Sequence, residues 1–347
     1  MDAFNYNVHE LIKIRSNVDL SLVDRRLSYF RSEGKIEPDI TIHVVKDFTV
    51  NVDEAIRLAP HFFGVENGRW VYYDRKLAVF KLKLLVKNLL DTTQIVATDF
   101  YLRMHFRIGR ITPLWEILPF VMNIKLLKKG YTFLHGACIS RQNKGALLCA
   151  FPNTGKTLTA LLSLKNKHGF SYLSDDITIV DDEGYAYCYP EPHPFFGHAK
   201  GGKANEKDYI KFAIKLISPI MKIHVNEPIK QFTKIYSDIK NPKIDRKVKI
   251  ANIFFLERTQ ENIKENTKEI TAKKAYAKLV ASNRHEFPYC TDPILLTYSY
   301  FNPEMDFDNL CFKERKILLS LIKHAQKFFI LRSRNPEKFI DLVESVM

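Results

Sequence analysis

Residues 134–176 read LHGACISRQNKGALLCAFPNTGKTLTALLSLKNKHGFSYLSDD, and the fold follows from this stretch. YTFLHGACIS (131–140) and ALLCA (146–150) have the apolar runs of strands, and RQNKG between them reads as a hairpin turn. LTALLSLKNK has helical spacing, closed by Gly169, and SYLSDDITIV (171–180) is a further strand carrying two carboxylates. Strand, glycine-containing loop, helix and acidic strand together predict an α/β nucleotide-binding core on a mixed sheet.

The loop carries the chemistry. Ala150 to Thr157, AFPNTGKT, fits GxxxxGK[ST] with alanine in place of the first glycine. Such a loop wraps the backbone N–H groups of Asn153, Thr154 and Gly155 around phosphate oxygens. Lys156 supplies positive charge to the β and γ phosphates, Thr157 offers a hydroxyl to Mg²⁺, and the next helix aims its positive dipole end at the same anion. Ordinary residue frequencies give on the order of 0.03 matches to this pattern in a chain of such length.

Asp175 and Asp176 follow the helix on an extended segment, where neighbouring side chains point to opposite sides. They are therefore expected to divide two tasks, one holding Mg²⁺ and the other accepting a proton from an attacking hydroxyl. Asp181 and Asp182, in the DDEG turn, read instead as solvated strand-end acids. His135 lies in an apolar strand, where a histidine is more often a hydrogen-bonded core residue than a catalytic group.

Outward from this core, TIHVVKDFTV and RWVYYDRKLAVFKLKLLV predict a β-rich N-terminal domain over 1–110. Thr112 and Pro113 start an amphipathic helix expected to bridge the halves over 111–130, and 131–347 is expected to form the nucleotide-binding domain. KVKIANIFFLER reads as a strand, with Arg258 at its end a candidate phosphate contact. Thr271 caps a helix to about Ala281. KERKILLSLIKHAQ and PEKFIDLVESV read as helices around the strand FFILRS. Lys200 and Lys203, flanking two glycines, are candidate contacts to phosphate or to an acidic substrate on a closing loop.

The 347 residues include 46% hydrophobic side chains, enough to exclude wholesale disorder. Five scattered cysteines without a CxxC pair argue against a disulfide framework or structural zinc. The N-terminus lacks a signal-peptide pattern and no apolar run reaches membrane-spanning length, so a cytoplasmic protein without a membrane partner is expected. The net charge of +14 is localised: residues 101–150 and 201–250 carry the excess, flanking the proposed site in sequence. It fits basic surface around a nucleotide and an acidic acceptor, with nucleic acid as the secondary reading.

HGACIS, then GALLCAFPNTGKT, then LSDD resembles, over about 134–190, the HPr kinase/phosphorylase family and its wider relatives, the phosphoenolpyruvate-carboxykinase-like kinases. The resemblance implies an HPr kinase C-terminal-domain-like P-loop core that uses ATP and Mg²⁺ to phosphorylate a hydroxyl, foremost a serine, of a small molecule, peptide or protein. By motif position it implies phosphate contact by Lys156, metal binding by Thr157 and Asp176, base catalysis by Asp175, and tuning of Asp175 by His135. It also implies assembly into a homo-oligomer.

The RGLG-type signature of HPr kinase/phosphorylases is absent, HPFFGHAKGGKANE standing in its place, and the chain is too short for a phosphoenolpyruvate carboxykinase. A diverged kinase is the resulting expectation. Its competitors are a nucleotide-binding regulatory module without turnover and a P-loop protein that binds or modifies nucleic acid.

Overall fold

The computed structural model describes residues 3–77, 80–104, 107, 112–165, 168–192, 239, 242–260 and 265–347. The chain divides into two units, Met1–Thr132 with Phe287–Ile317 and Phe133–Glu286 with Leu318–Met347. Among the described residues the helices in chain order are α1 (Asp99–Arg103), α2 (Leu114–Lys128), α3 (Lys156–Ser163), α4 (Ala272–Glu286), α5 (Pro293–Phe301), α6 (Phe307–His324) and α7 (Phe339–Glu344). None of them is long and apolar enough to cross a membrane.

The first unit is built on a mixed sheet. Its strands are β1 (Phe4–Val8), β2 (Ile12–Ser16), β3 (Arg31–Ser32), β4 (Ile40–Val45), β5 (Ile56–Ala59), β6 (Phe62–Gly64), β7 (Trp70–Leu77), β8 (Phe80–Lys87) and β9 (Thr93–Thr98). They lie in the order β3-β1-β2-β4-β9-β8-β7-β6-β5. The β2–β4 and β4–β9 pairs are parallel and the others antiparallel.

The helix expected as a bridge, α2, lies inside this unit. It lacks the polar face that a bridging helix would present: Leu114, Ile117, Val121 and Ile124 are fully buried, and so is Asn123. Even Lys125 is enclosed, its ammonium donating to the Leu89 carbonyl at 2.9 Å and to that of Asp91.

Residues 287–317, expected in the second domain, also join the first unit, held by polar ties across long stretches of sequence. The buried Asp292 caps α5 by accepting from the Ile294 and Leu295 N–H groups at 3.0 and 3.1 Å, and it also receives the Thr112 hydroxyl. Asn302 Oδ1 accepts from the Arg69 N–H at 2.8 Å.

The second sheet uses β10 (Tyr131–His135), β11 (Ala137–Arg141), β12 (Lys144–Cys149), β13 (Ser171–Ser174), β14 (Ile177–Asp181), β15 (Tyr185–Tyr187), β16 (Lys247–Arg258), β17 (Asn266–Glu269) and β18 (Lys327–Ser333). Its main path is β10-β14-β15-β16-β12-β11-β13, with β18 beside β16 and β17 beside β18. β16 is central: it runs parallel to β12 on one side and to β18 on the other, while its first residues pair antiparallel with β15. Helices α3 and α7 bury Leu161, Phe339, Ile340 and Val343 against sheet residues Leu148, Phe254 and Leu331. This apolar layer fixes α3 directly behind the loop that follows β12.

Two expected strands are each broken, one at Gly136 and the other at Asp175–Asp176. The breaks lie side by side. The Gly136 N–H donates to the Asp176 carbonyl at 2.9 Å, and the Thr178 hydroxyl donates to the Gly136 carbonyl at 2.7 Å. Local periodicity registers neither bend, because both are stabilised by bonds between distant segments.

Asp181 is likewise not a solvated acid. It is 4% exposed and accepts from the N–H groups of Glu183 and Tyr185 and from the Tyr187 hydroxyl, so it ties the β14–β15 turn together.

Candidate active site

The second unit gathers its chemistry at the carboxyl edge of the parallel strands β12, β16 and β18, where open α/β sheets hold ligands. Loop 150–155 leaves β12 and enters α3 through Gly155 at φ +114°, with Asn153 also left-handed at φ +59°. A Cβ on Gly155 would stand 2.6 Å from Pro336 Cβ, beyond the end of β18, so only glycine lets the loop lie this close. The Thr154 hydroxyl donates to the Phe151 carbonyl at 2.8 Å and closes the loop. No side chain caps α3, which leaves first-turn backbone N–H groups facing the loop.

Lys156 begins α3 but does not extend into solvent. It is 7% exposed, its Nζ touches His135 Nε2, and it lies 3.9 Å from Asp176 Oδ1. His135 Nδ1 is 3.6 Å from the same carboxylate oxygen. An ammonium donating to Nε2 requires the lone pair there and places the imidazole proton on Nδ1, towards Asp176. Burial pushes the Lys156 ammonium below the ordinary lysine range, opposed by the negative charges of Asp176, Glu286 and Asp175.

The paired aspartates, at the bend between β13 and β14, differ in exposure. Asp176 has a side chain 52% exposed, whereas Asp175 is 4% exposed and lies near the buried Tyr172 phenol. Burial, with Asp175 beside it, pushes that phenol well above its usual range. The carboxylate measured at His135 Nδ1 is Asp176; tuning of Asp175 by His135 is what the resemblance implies.

Thr157 stands half-buried in the first turn of α3. Arg258 is exposed at the end of β16, its Nε donating to the Arg334 carbonyl at 3.4 Å, and no measured contact joins it to Lys156 or Asp176. Lys200 and Lys203 lie outside the described residues. No group of three or more His, Cys, Asp or Glu side chains placed to hold a metal occurs among the described residues.

Two contributors escape sequence reasoning. Asn283 of α4, fully buried, accepts the His135 backbone N–H at 2.8 Å and fixes that residue at the break. Glu286, at the end of α4, brings Oε2 to 3.9 Å from His135 Nε2. Both sit in SNRHE (282–286), a polar helix end with no spacing relation to the loop; the only available signal is a carboxylate in a basic last turn, where the helix dipole favours cations.

No protein-family model matches the chain, and no curated protein matches it. Among solved structures the chain is similar to the Hpr(Ser) kinase/phosphatase from Coxiella burnetii, at 10% identity over 62% of this chain and 93% of that one, with a TM-score of 0.25. At that level the likeness assigns neither fold nor activity.

Proposed function

We propose that the second unit is a nucleotide-dependent phosphotransferase that uses ATP with Mg²⁺ to phosphorylate a hydroxyl, a serine side chain or a related alcohol, and that 150–157 is its phosphate loop. The observation that carries this reading is the convergence of Lys156, His135 and the half-exposed Asp176 beside an uncapped helix start. Uncapped N–H groups and a lysine meet the needs of a phosphate chain.

The donor set fits the metal. Asp176 and Thr157 are hard oxygen donors, and Mg²⁺ is commonly held by one or two protein oxygens together with substrate phosphates. The ion would neutralise charge on the transferring phosphoryl group. Lys156 would trade His135 for phosphate oxygens, and His135, with its Nδ1 proton towards Asp176, would hold that carboxylate in position. Proton acceptance from the acceptor hydroxyl stays with Asp175; its enclosure gives that role a test separate from that of Asp176. Arg258, and Lys200 and Lys203 in the 191–208 connection, are proposed only as outer contacts to phosphate or to an acidic acceptor.

Transfer of labelled γ-phosphate from ATP to serine, serine peptides and polyols, followed by mass spectrometry of the acceptor, tests the reading. Transfer abolished by Lys156→Ala supports it. Mg·ATP binding without transfer to any acceptor would instead favour a regulatory module.

A further inference from the structure

The first unit contains a cavity of about 810 Å³, within the range of small-molecule sites, that the phosphotransfer reading does not use. One wall is the β5–β6 turn, with Pro60, His61 and Phe62; another is β7, with Tyr73 and Arg75; α5 closes it with Pro293, Leu296 and Thr297, and Arg107 stands at its side. The apolar part is continuous: Phe62 meets Tyr73 edge-on, with ring centroids 4.9 Å apart.

The polar part is cationic. Tyr73 and Arg75, two residues apart on β7, alternate onto one face of that strand. Among the described residues no carboxylate pairs with Arg75. The adjacent Asp74 is taken by the Tyr72 hydroxyl at 2.8 Å on the other face. Arg107 is oriented by Glu116, whose Oε2 accepts from its Nε at 2.8 Å. His61 Nδ1 lies 2.9 Å from the Asp74 carbonyl, an acceptor, so Nδ1 carries the proton and Nε2 remains an acceptor. A guanidinium without a counter-ion, set into an apolar wall, is a site for a planar or tetrahedral anion attached to hydrocarbon.

We infer that this cavity binds an anionic amphiphile, a small carboxylate or phosphate monoester with an aliphatic or aromatic body, its head on Arg75 and its body against Phe62, Tyr73 and Leu296. The site lies wholly within the first unit and stands independently of the phosphotransfer reading.

Calorimetric titration of the full chain with octanoate, octyl phosphate and octanol tests it. Saturable binding of at least one anion is expected, with octanol at least about tenfold weaker. The preferred anion identifies the head group as carboxylate or phosphate. Arg75→Gln is expected to weaken the anion by about tenfold or more and to leave octanol unchanged. Leu296→Trp, which narrows the cavity from a partly exposed helix position, is expected to abolish binding of all three. Failure of both anions to saturate at millimolar concentration, octanol binding as tightly as the anions, or unchanged anion affinity in both folded variants would overturn the assignment.

Discussion

The Lys156 ammonium lies 3.9 Å from the Asp176 carboxylate while also touching His135, so the loop lysine is held in reserve against the acidic break. Because burial lowers its proton affinity, Lys156 loses charge at a pH below the ordinary lysine range. A neutral amine gives phosphate little electrostatic stabilisation. ATP affinity of the free enzyme is therefore expected to fall as pH rises through that lowered range, and Lys156→Arg is expected to extend binding to higher pH. Calorimetry across pH checks this; superimposable profiles would remove Lys156 from the phosphate contact.

Gly155→Ala is expected to destabilise the second unit by about 1–3 kcal/mol, because the new Cβ meets Pro336 and the left-handed backbone disfavours it. Gly169→Ala provides the control. That glycine is also left-handed but has open space at the Cβ position, so the cost is expected to be about 1 kcal/mol. Denaturant melts of the two variants compare the terms, and equal losses would mean that the Pro336 approach contributes nothing.

Asp175 and Asp176 are expected to fail differently. Asp176→Asn should raise the Mg²⁺ concentration needed for half-maximal ATP binding, since it removes the exposed oxygen donor. Asp175→Asn should leave ATP binding within about threefold of wild type and lower turnover by at least about a hundredfold. Turnover preserved in Asp175→Asn would transfer the proton-accepting role to Asp176.

Lys125 offers a test of the first unit alone. Burial lowers its pKa to about 8, so between about 8 and the ordinary lysine range the unfolded chain binds a proton that the folded chain has released. Stability therefore rises with pH across that window, by up to about 3 kcal/mol. Lys125→Met should flatten that rise, read from denaturant midpoints at closely spaced pH values. An equal rise in the variant would exclude Lys125 as its source.

The sequence made the loop and α3 legible, because both follow from local spacing. The β-rich start of the chain was legible for the same reason. The break at Gly136 was not, since it depends on a bond to Asp176 across the sheet. Nor was the burial of Asp181, which follows from three donors supplied by its own turn and the next strand. Asn283 and Glu286 reach His135 from α4, and 287–317 joins the first unit through Asp292 and Asn302; such long-range closures leave no periodic trace.

Equilibrium binding of Mg·ATP to the wild-type chain and to Lys156→Met, at neutral pH and fixed salt, tests the central claim most directly. The account predicts one saturable site in the wild type and at least about a hundredfold loss in the variant, with both proteins equally folded by circular dichroism. Absence of saturable binding in the wild type, or equal affinity in the two proteins, would contradict it.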